Sequence, residues 1–378
     1  MYESVRLGRH KAIPAEHTSA AADVHTLEPM QREYLSATMQ RVSRSFALVV
    51  PCLQAPLQEY FATAYLLCRA LDNIEDCARG LGWQKQRFAE FRRLLWEPQA
   101  APAQLSEWQV DEWPGLSEDE RALMTADGGA PLWSVYESFP ARIRAILQTW
   151  IPRMAKGMEE VLDPAQSPPV VVRQGVRVLS TAAAYNDYCY TVAGTVGAMG
   201  TELVIDHYGL PDELARTLLA GSEACGRALQ KTNVLKDFTE DLQRQTCYLP
   251  DEWLAEIDYA PLGMGGAPAD WTARVLGDIL TELRSATAYV LDVPHRAADY
   301  RVASLMCLLP AYETLRSAAL HRRELFTAGH QIKITRPTMA RCVADAVALA
   351  TDDDAIMGRS RDLETQIRAA LSSGEPAS

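Results

Sequence analysis

The sequence predicts an all-α protein. Apolar residues recur with the period of amphipathic helices over most of the chain, and no region is rich in strand patterns. Apolar residues also make up 48% of the 378 residues, which is ample for a large core. A third observation is a pair of acidic clusters, D-x-x-E-D, each ending a helical segment. We therefore expect one helical domain, although the length would also allow two.

The predicted domain occupies residues 29–350 and is flanked by two tails. Residues 1–28 lack helical periodicity, and residues 351–378 are also interpreted as a tail. Between about residues 97 and 131 the composition turns to Pro, Gly, Ala and Ser, which predicts a long insertion on the surface.

Proline and glycine set the predicted helix boundaries. Pro51 stops the first helix, Gly80 and Gly82 end the second, and Pro211 opens a later one. The predicted helices cover about residues 31–50, 57–77, 139–161, 181–205, 212–243, 271–293, 302–327 and 338–350.

The two acidic clusters carry the chemistry that the sequence predicts. In the first, Asp72, Glu75 and Asp76 fall at i, i+3 and i+4, so on a helix all three project from one face. Like charges so placed repel one another, whereas two clusters facing each other across a cavity would hold divalent cations through carboxylate oxygens. The second cluster repeats the spacing with Asp237, Glu240 and Asp241.

Each cluster continues upstream as a polar stripe. Tyr65 and Arg69 precede the first cluster, and Gln230 and Asn233 precede the second, at helical spacing. One cluster alone is weak evidence, because a solvated helix face explains it better. Two copies with matching polar residues, both in apolar helices, favour a binding site instead.

The overall charge bears on the class of ligand. A net charge of −12, without a basic stripe interleaved with aromatic residues, argues against nucleic-acid binding. An anionic substrate would need metal ions and a few local Arg or Lys residues to offset this acidic field.

Cysteines and terminal segments predict a cytoplasmic protein. The eight cysteines, none in a C-x-x-C pair, are expected to be reduced. Residues 1–21 contain His, Glu and Pro where a signal peptide needs an apolar run, and no apolar stretch reaches the length of a membrane span. Residues 369–376 are too polar for an anchor, so any membrane contact would be peripheral. The oligomeric state is left open.

Four motifs follow one another within about residues 36–340. They are Ser43-Arg44-Ser45-Phe46, Asp72 to Asp76, Tyr188 to Gly194, and Gln230 to Asp241. In this order the chain resembles the squalene and phytoene synthases, and among them most the squalene synthases. The resemblance implies a single-domain isoprenoid synthase-type helical fold around a central cavity.

Metal-binding and catalytic residues are the first roles that the resemblance implies. Mg²⁺ would be held against two diphosphates by five carboxylates, Asp72, Glu75, Asp76, Asp237 and Asp241. Asp76 and Asp237 also count as catalytic in this interpretation. Tyr188 matches the tyrosine proposed to handle a proton in the first condensation, and Tyr65 is a second candidate near the diphosphate.

Substrate and cofactor contacts are the second group of implied roles. Arg44 and Arg69 match positions that contact diphosphate or the phosphates of NADPH, which suits the forked donors of guanidinium. Further substrate contacts are expected from Gln230, Asn233 and Lys236. NADPH would also meet Lys236 and Lys333, since this family binds it without a Rossmann fingerprint.

Small residues mark the helix predicted over residues 181–205. They either let helices approach closely or leave space for a ligand. Because this helix lies in the family's order between the two acidic helices, the interpretation favoured is room for a prenyl chain. The residues are Ala193, Gly194, Gly197, Ala198 and Gly200.

The implied reaction is the synthesis of squalene. Two farnesyl diphosphates would join head to head as a cyclopropyl diphosphate, which is then rearranged and reduced by NADPH. Three positions where the family pattern has a basic residue differ here: Lys236 replaces an arginine, and Thr246 and Thr335 are uncharged. Arg244 and Arg336 lie near the two threonines in sequence as substitutes.

Two alternatives stay open at this point. Because the departures bear on the reductive half, one alternative is a phytoene or dehydrosqualene synthase that uses no NADPH, or an enzyme that releases the cyclopropyl intermediate. The other is a non-catalytic helical protein that binds lipid. Two intact acidic clusters argue against it, because repelling carboxylates only destabilise a helix that binds no cation.

Overall fold

A computed structural model of the protein describes residues 26–43, 45–163 and 169–372. Helices dominate these ranges, which confirms the predicted all-α fold. We number the α-helices of the described ranges α1 to α18 in chain order. They are Pro29–Val42, Phe46–Val49, Leu57–Asp76, Leu81–Leu94, Ala101–Trp108, Glu118–Ala122, Ala126–Ser138, Ala141–Leu162, Ala182–Cys189, Thr195–Tyr208, Asp212–Gly221, Glu223–Lys236, Phe238–Gln243, Asp251–Ala255, Ala269–Asp292, Ala298–Leu320, Arg336–Leu349 and Asp353–Ser372.

Two of the predicted long helices are interrupted. A π-helical turn over Tyr190–Gly194 joins α9 to α10, and the helix predicted over 212–243 is divided into α11, α12 and α13. None of the described helices combines the length and the apolar composition that a membrane span requires. Short 3₁₀ turns lie at Val50–Cys52, Pro98–Ala100, Ala260–Gly263 and His295–Ala297.

Three short strands form a small sheet that the sequence did not predict. Strand β1 (Val170–Arg173) pairs antiparallel with β2 (Val176–Leu179), and β2 pairs in parallel with β3 (Thr246–Cys247). In this register Arg177 lies opposite Thr246. The sheet therefore ties the hairpin after α8 to the chain just beyond the second acidic cluster.

Close packing around α12 explains the stripe of small residues. α12 packs against α10, α15, α16 and the π-helical turn. A Cβ atom on Gly226 would lie 2.0 Å from the carbonyl oxygen of Ala193, and one on Gly197 would lie 2.3 Å from that of Ser222. At Gly197 the small residue thus serves helix contact, and the prediction that it leaves room for a prenyl chain is wrong there.

The segment over 97–131 is part of the packed domain. It contains α5, α6 and the start of α7, and its side chains Leu105, Trp108 and Met124 are almost fully buried. The prediction of a surface insertion is therefore wrong. The Pro, Gly and Ser content marks short helices joined by tight turns.

The end of the chain also differs from the expectation. Helix α18 packs against α15 and α16, and its residues Ile356, Leu363 and Ile367 are at most 1% exposed. The prediction of a tail from residue 351 is thus wrong over residues 353–372. Residues 1–25 of the predicted N-terminal tail lie outside the described residues.

Candidate active site

The last turn of α3 carries the first acidic cluster, and a buried glutamine holds this turn in place. The Gln84 side-chain amide donates to the backbone carbonyls of Ile74, Glu75 and Cys77 at 3.2, 2.9 and 3.2 Å. These carbonyls end a helix and have no partner within it. Gln84 is 5% exposed, so it caps α3 from inside the domain and fixes the direction of the acidic side chains.

Arg69 stands one turn before Asp72 and contacts acids on both sides. Its Nη1 lies 3.4 Å from Asp72 Oδ2, and its Nη2 pairs with Glu120 Oε1 from α6. Tyr65, a turn earlier, is half-buried and packs against the Phe46 ring at a centroid distance of 4.9 Å. The polar stripe predicted on α3 thus occupies one connected face.

The second cluster lies where α12 passes into α13. Asp237 separates the two helices, yet the Asp241 N–H donates to the Asp237 carbonyl at 2.9 Å, which preserves the helical spacing. Lys236 Nζ lies 3.0 Å from Asn233 Oδ1 and 3.4 Å from Asp237 Oδ2. Gln230 is half-buried two turns before the cluster, on the same helix.

The two clusters face each other, and an arginine joins them. Arg244 follows α13, and its Nη1 lies 2.7 Å from Asp76 Oδ1 on α3. Asp241 of the second cluster also lies close enough to Glu75 of the first for its charge to raise the pKa of Glu75. Residues far apart in sequence therefore meet in one anionic site.

Burial and mutual repulsion set the charge state of this site. Burial, which outweighs the charge of Arg69, raises the pKa of Asp72 to about 7. Burial and the charge of Asp76 raise the pKa of Glu75 to about 8, and burial and the charge of Asp237 raise that of Asp241 to about 7. The carboxylates would ionise more readily beside a cation, as acidic metal sites do.

The carboxylates of the site suit a Mg²⁺ ion whose coordination is completed by substrate phosphates. Within the described ranges no three His, Cys, Asp or Glu side chains converge closely enough to hold a metal ion by themselves. Mg²⁺ usually takes one or two carboxylates and fills its other positions with water and substrate phosphates. One acidic wall of the site consists of Asp72, Glu75 and Asp76, and the other consists of Asp237 and Asp241. Each wall offers carboxylates of the kind that Mg²⁺ takes.

Tyr188 lies behind the acidic walls in a stacked aromatic pair. Its ring centroid is 4.4 Å from that of Tyr248 at an interplanar angle of 11°. Burial, the neighbouring Tyr248 and the charge of Glu75 raise the pKa of Tyr188 well above its ordinary value. Tyr188 is therefore a neutral phenol at physiological pH.

The other predicted site residues lie at the edge of the acidic site or outside the residues that the structure describes. Arg44 falls outside the described residues. Lys333 is exposed, in the segment where Gln331 Nε2 donates to Glu240 Oε1 at 3.3 Å, which brings that segment beside α13. Thr335 accepts a hydrogen bond from the Thr338 N–H at 3.2 Å and caps α17, so it has a local structural role.

Sequence reasoning missed several residues of the site. Arg177 Nη2 donates to Thr246 Oγ1 at 2.8 Å, and its charge offsets part of the rise in the pKa of Glu75. A guanidinium from β2 thus reaches the position beside Thr246. Glu120, Gln84 and Tyr248 were also missed, and only the position of Arg244 near the second cluster gave a sequence signal.

A cavity of about 150 Å³ lies away from the acidic site. It is lined by α1, the turn after α2 and the first turns of α3, including Met39, Pro51 and Glu59. Asp72 is 13 residues beyond Glu59 on α3, or about 20 Å at the rise of a helix. This cavity is therefore not the diphosphate site.

Comparison with known proteins decides the family. The family model for squalene/phytoene synthase matches residues 39–338, a range that includes every described residue of the two acidic walls. The chain belongs to the squalene/phytoene synthase family. The resemblance that the four motifs suggested is thereby confirmed.

Individual relatives of the squalene/phytoene synthase family match at low identity. The squalene synthase of Dictyostelium discoideum is 26% identical over 281 residues, which are 74% of this chain and 61% of that protein. Squalene synthase ERG9 of Candida albicans is 30% identical over 213 residues, 56% of this chain and 43% of that protein. The matches thus span less than two thirds of these relatives.

Solved structures of squalene/phytoene synthase family members share the fold. A complex of TcSQS with the ligand BPH1237 gives a TM-score of 0.74 at 22% identity and covers 92% of this chain and 94% of that one. A dehydrosqualene synthase in complex with a ligand gives a TM-score of 0.57 at 18% identity over 84% of this chain and 96% of that one. The predicted isoprenoid synthase-type fold is therefore confirmed.

Proposed function

We propose that this chain is a squalene synthase. Two farnesyl diphosphates condense head to head to a cyclopropyl diphosphate, which is then rearranged and reduced by NADPH to squalene. The observation that carries the proposal is the pairing of two acidic walls through Arg244 and Asp76, 2.7 Å apart, in a member of the squalene/phytoene synthase family. One wall would serve each diphosphate.

Ionisation of the allylic diphosphate is the first chemical step. Asp72, Glu75 and Asp76 on α3, with Asp237 and Asp241 beyond α12, would hold Mg²⁺, and this ion would supply Lewis-acid stabilisation of the leaving diphosphate. The basic residues of the site, Arg69, Arg177, Lys236 and Arg244, add positive charge where the departing group develops negative charge.

Proton loss closes the cyclopropane ring after the two chains join. Tyr188 is a neutral phenol, so it accepts this proton only while its own hydroxyl proton moves on. Tyr248, which stacks on Tyr188, is also a neutral phenol because burial raises its pKa, so the released diphosphate is the base that finally takes the proton. The stacked pair also excludes water from the carbocation.

The reductive half relies on residues that would hold NADPH. Lys236 and Arg69 lie on the acidic walls, Lys333 lies on the segment beside α13, and Arg44 is the fourth candidate. Their cationic side chains fit the phosphates of the cofactor. The chemistry that NADPH supplies is hydride transfer to the rearranged carbocation.

A second candidate function is condensation without reduction, giving dehydrosqualene or, from a longer donor, phytoene. It is favoured by Thr335, whose hydroxyl is used to cap α17 where the family pattern has a basic residue. The fold shared with a dehydrosqualene synthase is compatible with it.

Product analysis separates these functions. Purified protein is incubated with farnesyl diphosphate and Mg²⁺, with and without NADPH, and the extracted hydrocarbons are identified by mass spectrometry. Squalene formed only with NADPH is the expected result. Dehydrosqualene or a cyclopropyl diphosphate in both reactions would overturn the reductive step, and no consumption of farnesyl diphosphate would overturn this donor and move the test to geranylgeranyl diphosphate.

A further inference from the structure

We propose that Glu120 is a positioning residue that holds Arg69 at the diphosphate-facing wall and leaves Asp72 only the longer of its two contacts. The inference rests on the proposed function, because the ligand that Arg69 meets is taken to be a magnesium-bound diphosphate. It assigns a role in the site to the segment that the sequence suggested was a surface insertion.

Arg69 is shared between two carboxylates. Its Nη2 pairs with Glu120 Oε1, while its Nη1 lies 3.4 Å from Asp72 Oδ2, at the long end of an ion pair. The side chains of Arg69 and Glu120 are 20% and 24% exposed, so the pair is partly withdrawn from water. In this arrangement Arg69 makes its closer contact with Glu120, so the Asp72 carboxylate can still bind a cation.

The Glu120 side chain is held in place by hydrogen bonds at the N-terminus of α6. Its Oε2 accepts from the Ser117 N–H at 2.8 Å and from the Ser117 hydroxyl at 2.9 Å, in a capping box at the start of α6. One carboxylate oxygen thus fixes the side chain and the other receives Arg69. The pairing is therefore set before any ligand arrives.

The backbone around Glu120 is clamped to the acidic turn of α3. The Asn73 side-chain amide donates to the Glu120 carbonyl at 2.8 Å. Beyond the end of α3, the Ala78 N–H donates to the Pro114 carbonyl at 2.9 Å, and Arg79 Nε donates to the Glu112 carbonyl at 3.1 Å. The segment over 112–120 therefore contacts the chain both before and after Asp76.

The contacts of Glu120 favour its ionised form. Burial acts to raise its pKa, but the hydrogen bonds from Ser117 and the charge of Arg69 outweigh burial and lower the pKa overall. Glu120 thus keeps the charge that pairs with Arg69.

The test is the affinity of the full-length protein for inorganic diphosphate in the presence of Mg²⁺, measured by calorimetry. Glu120→Gln keeps the capping box, since glutamine also serves at that position, and removes only the charge that binds Arg69. Glu118→Gln is the matched control, because Glu118 is an exposed acid on the same helix.

We expect Glu120→Gln to weaken diphosphate binding about tenfold, the equivalent of about 1.4 kcal/mol, with unchanged melting temperature. Glu118→Gln should bind like the parent, and Glu120→Gln should have no further effect in an Arg69→Gln background. A Michaelis constant that rises more than the turnover number falls would support positioning.

Two outcomes would overturn the inference in distinguishable ways. Equal diphosphate affinity of the parent and Glu120→Gln, or effects of Arg69→Gln and Glu120→Gln that simply add, would overturn the role of Glu120 alone. A parent protein that binds no diphosphate with Mg²⁺ would overturn the proposed function, and this inference with it.

Discussion

Carboxylates that repel one another are the central feature at the scale of single residues. Asp72, Glu75 and Asp241 are brought together by packing that favours their protonated forms. Arg244 pairs with Asp76, and its charge does not outweigh burial at Asp241. Such an arrangement costs folding free energy unless a cation is bound. This cost is the physical reason for assigning the site to metal binding.

The pH dependence of stability follows from these carboxyl groups. Their pKa values are about 7 to 8 in the folded protein, so between about pH 4 and 8 the folded state holds protons that the unfolded chain has lost. The free energy of unfolding of the metal-free protein should therefore fall as pH rises through this window. Mg²⁺ should raise the melting temperature more at pH 8 than at pH 6.

Thermal unfolding with EDTA or Mg²⁺ at several pH values measures this effect. Asp241→Asn removes one titrating group and should flatten the pH dependence of the metal-free protein. An identical response to Mg²⁺ at pH 6 and pH 8, or an unchanged slope in Asp241→Asn, would contradict the assigned charge states.

Sequence reasoning at this scale found the acids and three of their basic partners, but not Glu120 or Arg177. Asp72 and Asp241 were visible because helical spacing is local. Glu120 lies 51 residues from Arg69, and Arg177 reaches Thr246 through a strand pairing that single-sequence patterns do not specify. Contacts of this kind depend on the packing of the whole domain.

At the scale of elements, close helix packing positions the second acidic wall. α12 approaches the π-helical turn so closely that Gly226 touches the Ala193 backbone, and its C-terminal end then presents Asp237. The sequence predicted these helices from their apolar period. It could not predict the breaks at Tyr190 and Asp237, because no proline marks either position.

Gly226→Ala tests this packing. The added Cβ would lie 2.0 Å from the Ala193 carbonyl oxygen, so the helices must separate, and we expect a loss of about 1 to 3 kcal/mol in the free energy of unfolding. Gly277→Ala on α15 is the matched control, since its Cβ would meet no atom within 4 Å. That variant should gain about 0.5 to 1 kcal/mol from helix propensity.

Urea unfolding of both variants gives the two free energies. If Gly226→Ala proved as stable as Gly277→Ala, the close approach of α12 to the π-helical turn would be contradicted.

At the scale of the whole molecule, the domain extends to α18. Arg359 pairs with Glu313 at 3.2 Å and with Asp345 at 2.9 Å, which ties α18 to α16 and α17. The sequence suggested a tail here because the last predicted helix ended at about residue 350. The structure uses those charges for contacts between helices and buries the apolar residues between them.

Leu363→Ala measures what α18 contributes. Leu363 is fully buried, so its truncation should cost about 2 to 5 kcal/mol, whereas Val347→Ala at a 46% exposed position should change stability by about 0.5 kcal/mol or less. Chemical denaturation supplies both values. A Leu363→Ala protein with the stability of Val347→Ala would show that α18 is not part of the folded domain.

The most direct measurement of the central claim is the release of diphosphate from farnesyl diphosphate by the purified protein. The paired acidic walls predict release with Mg²⁺, none with EDTA, and a loss of at least about a hundredfold in Asp237→Asn, because one removed carboxylate leaves a metal incompletely held. That variant should keep the helical content and melting temperature of the parent. Release that persists in EDTA, or full activity in Asp237→Asn, would contradict the assignment of these walls as the catalytic site.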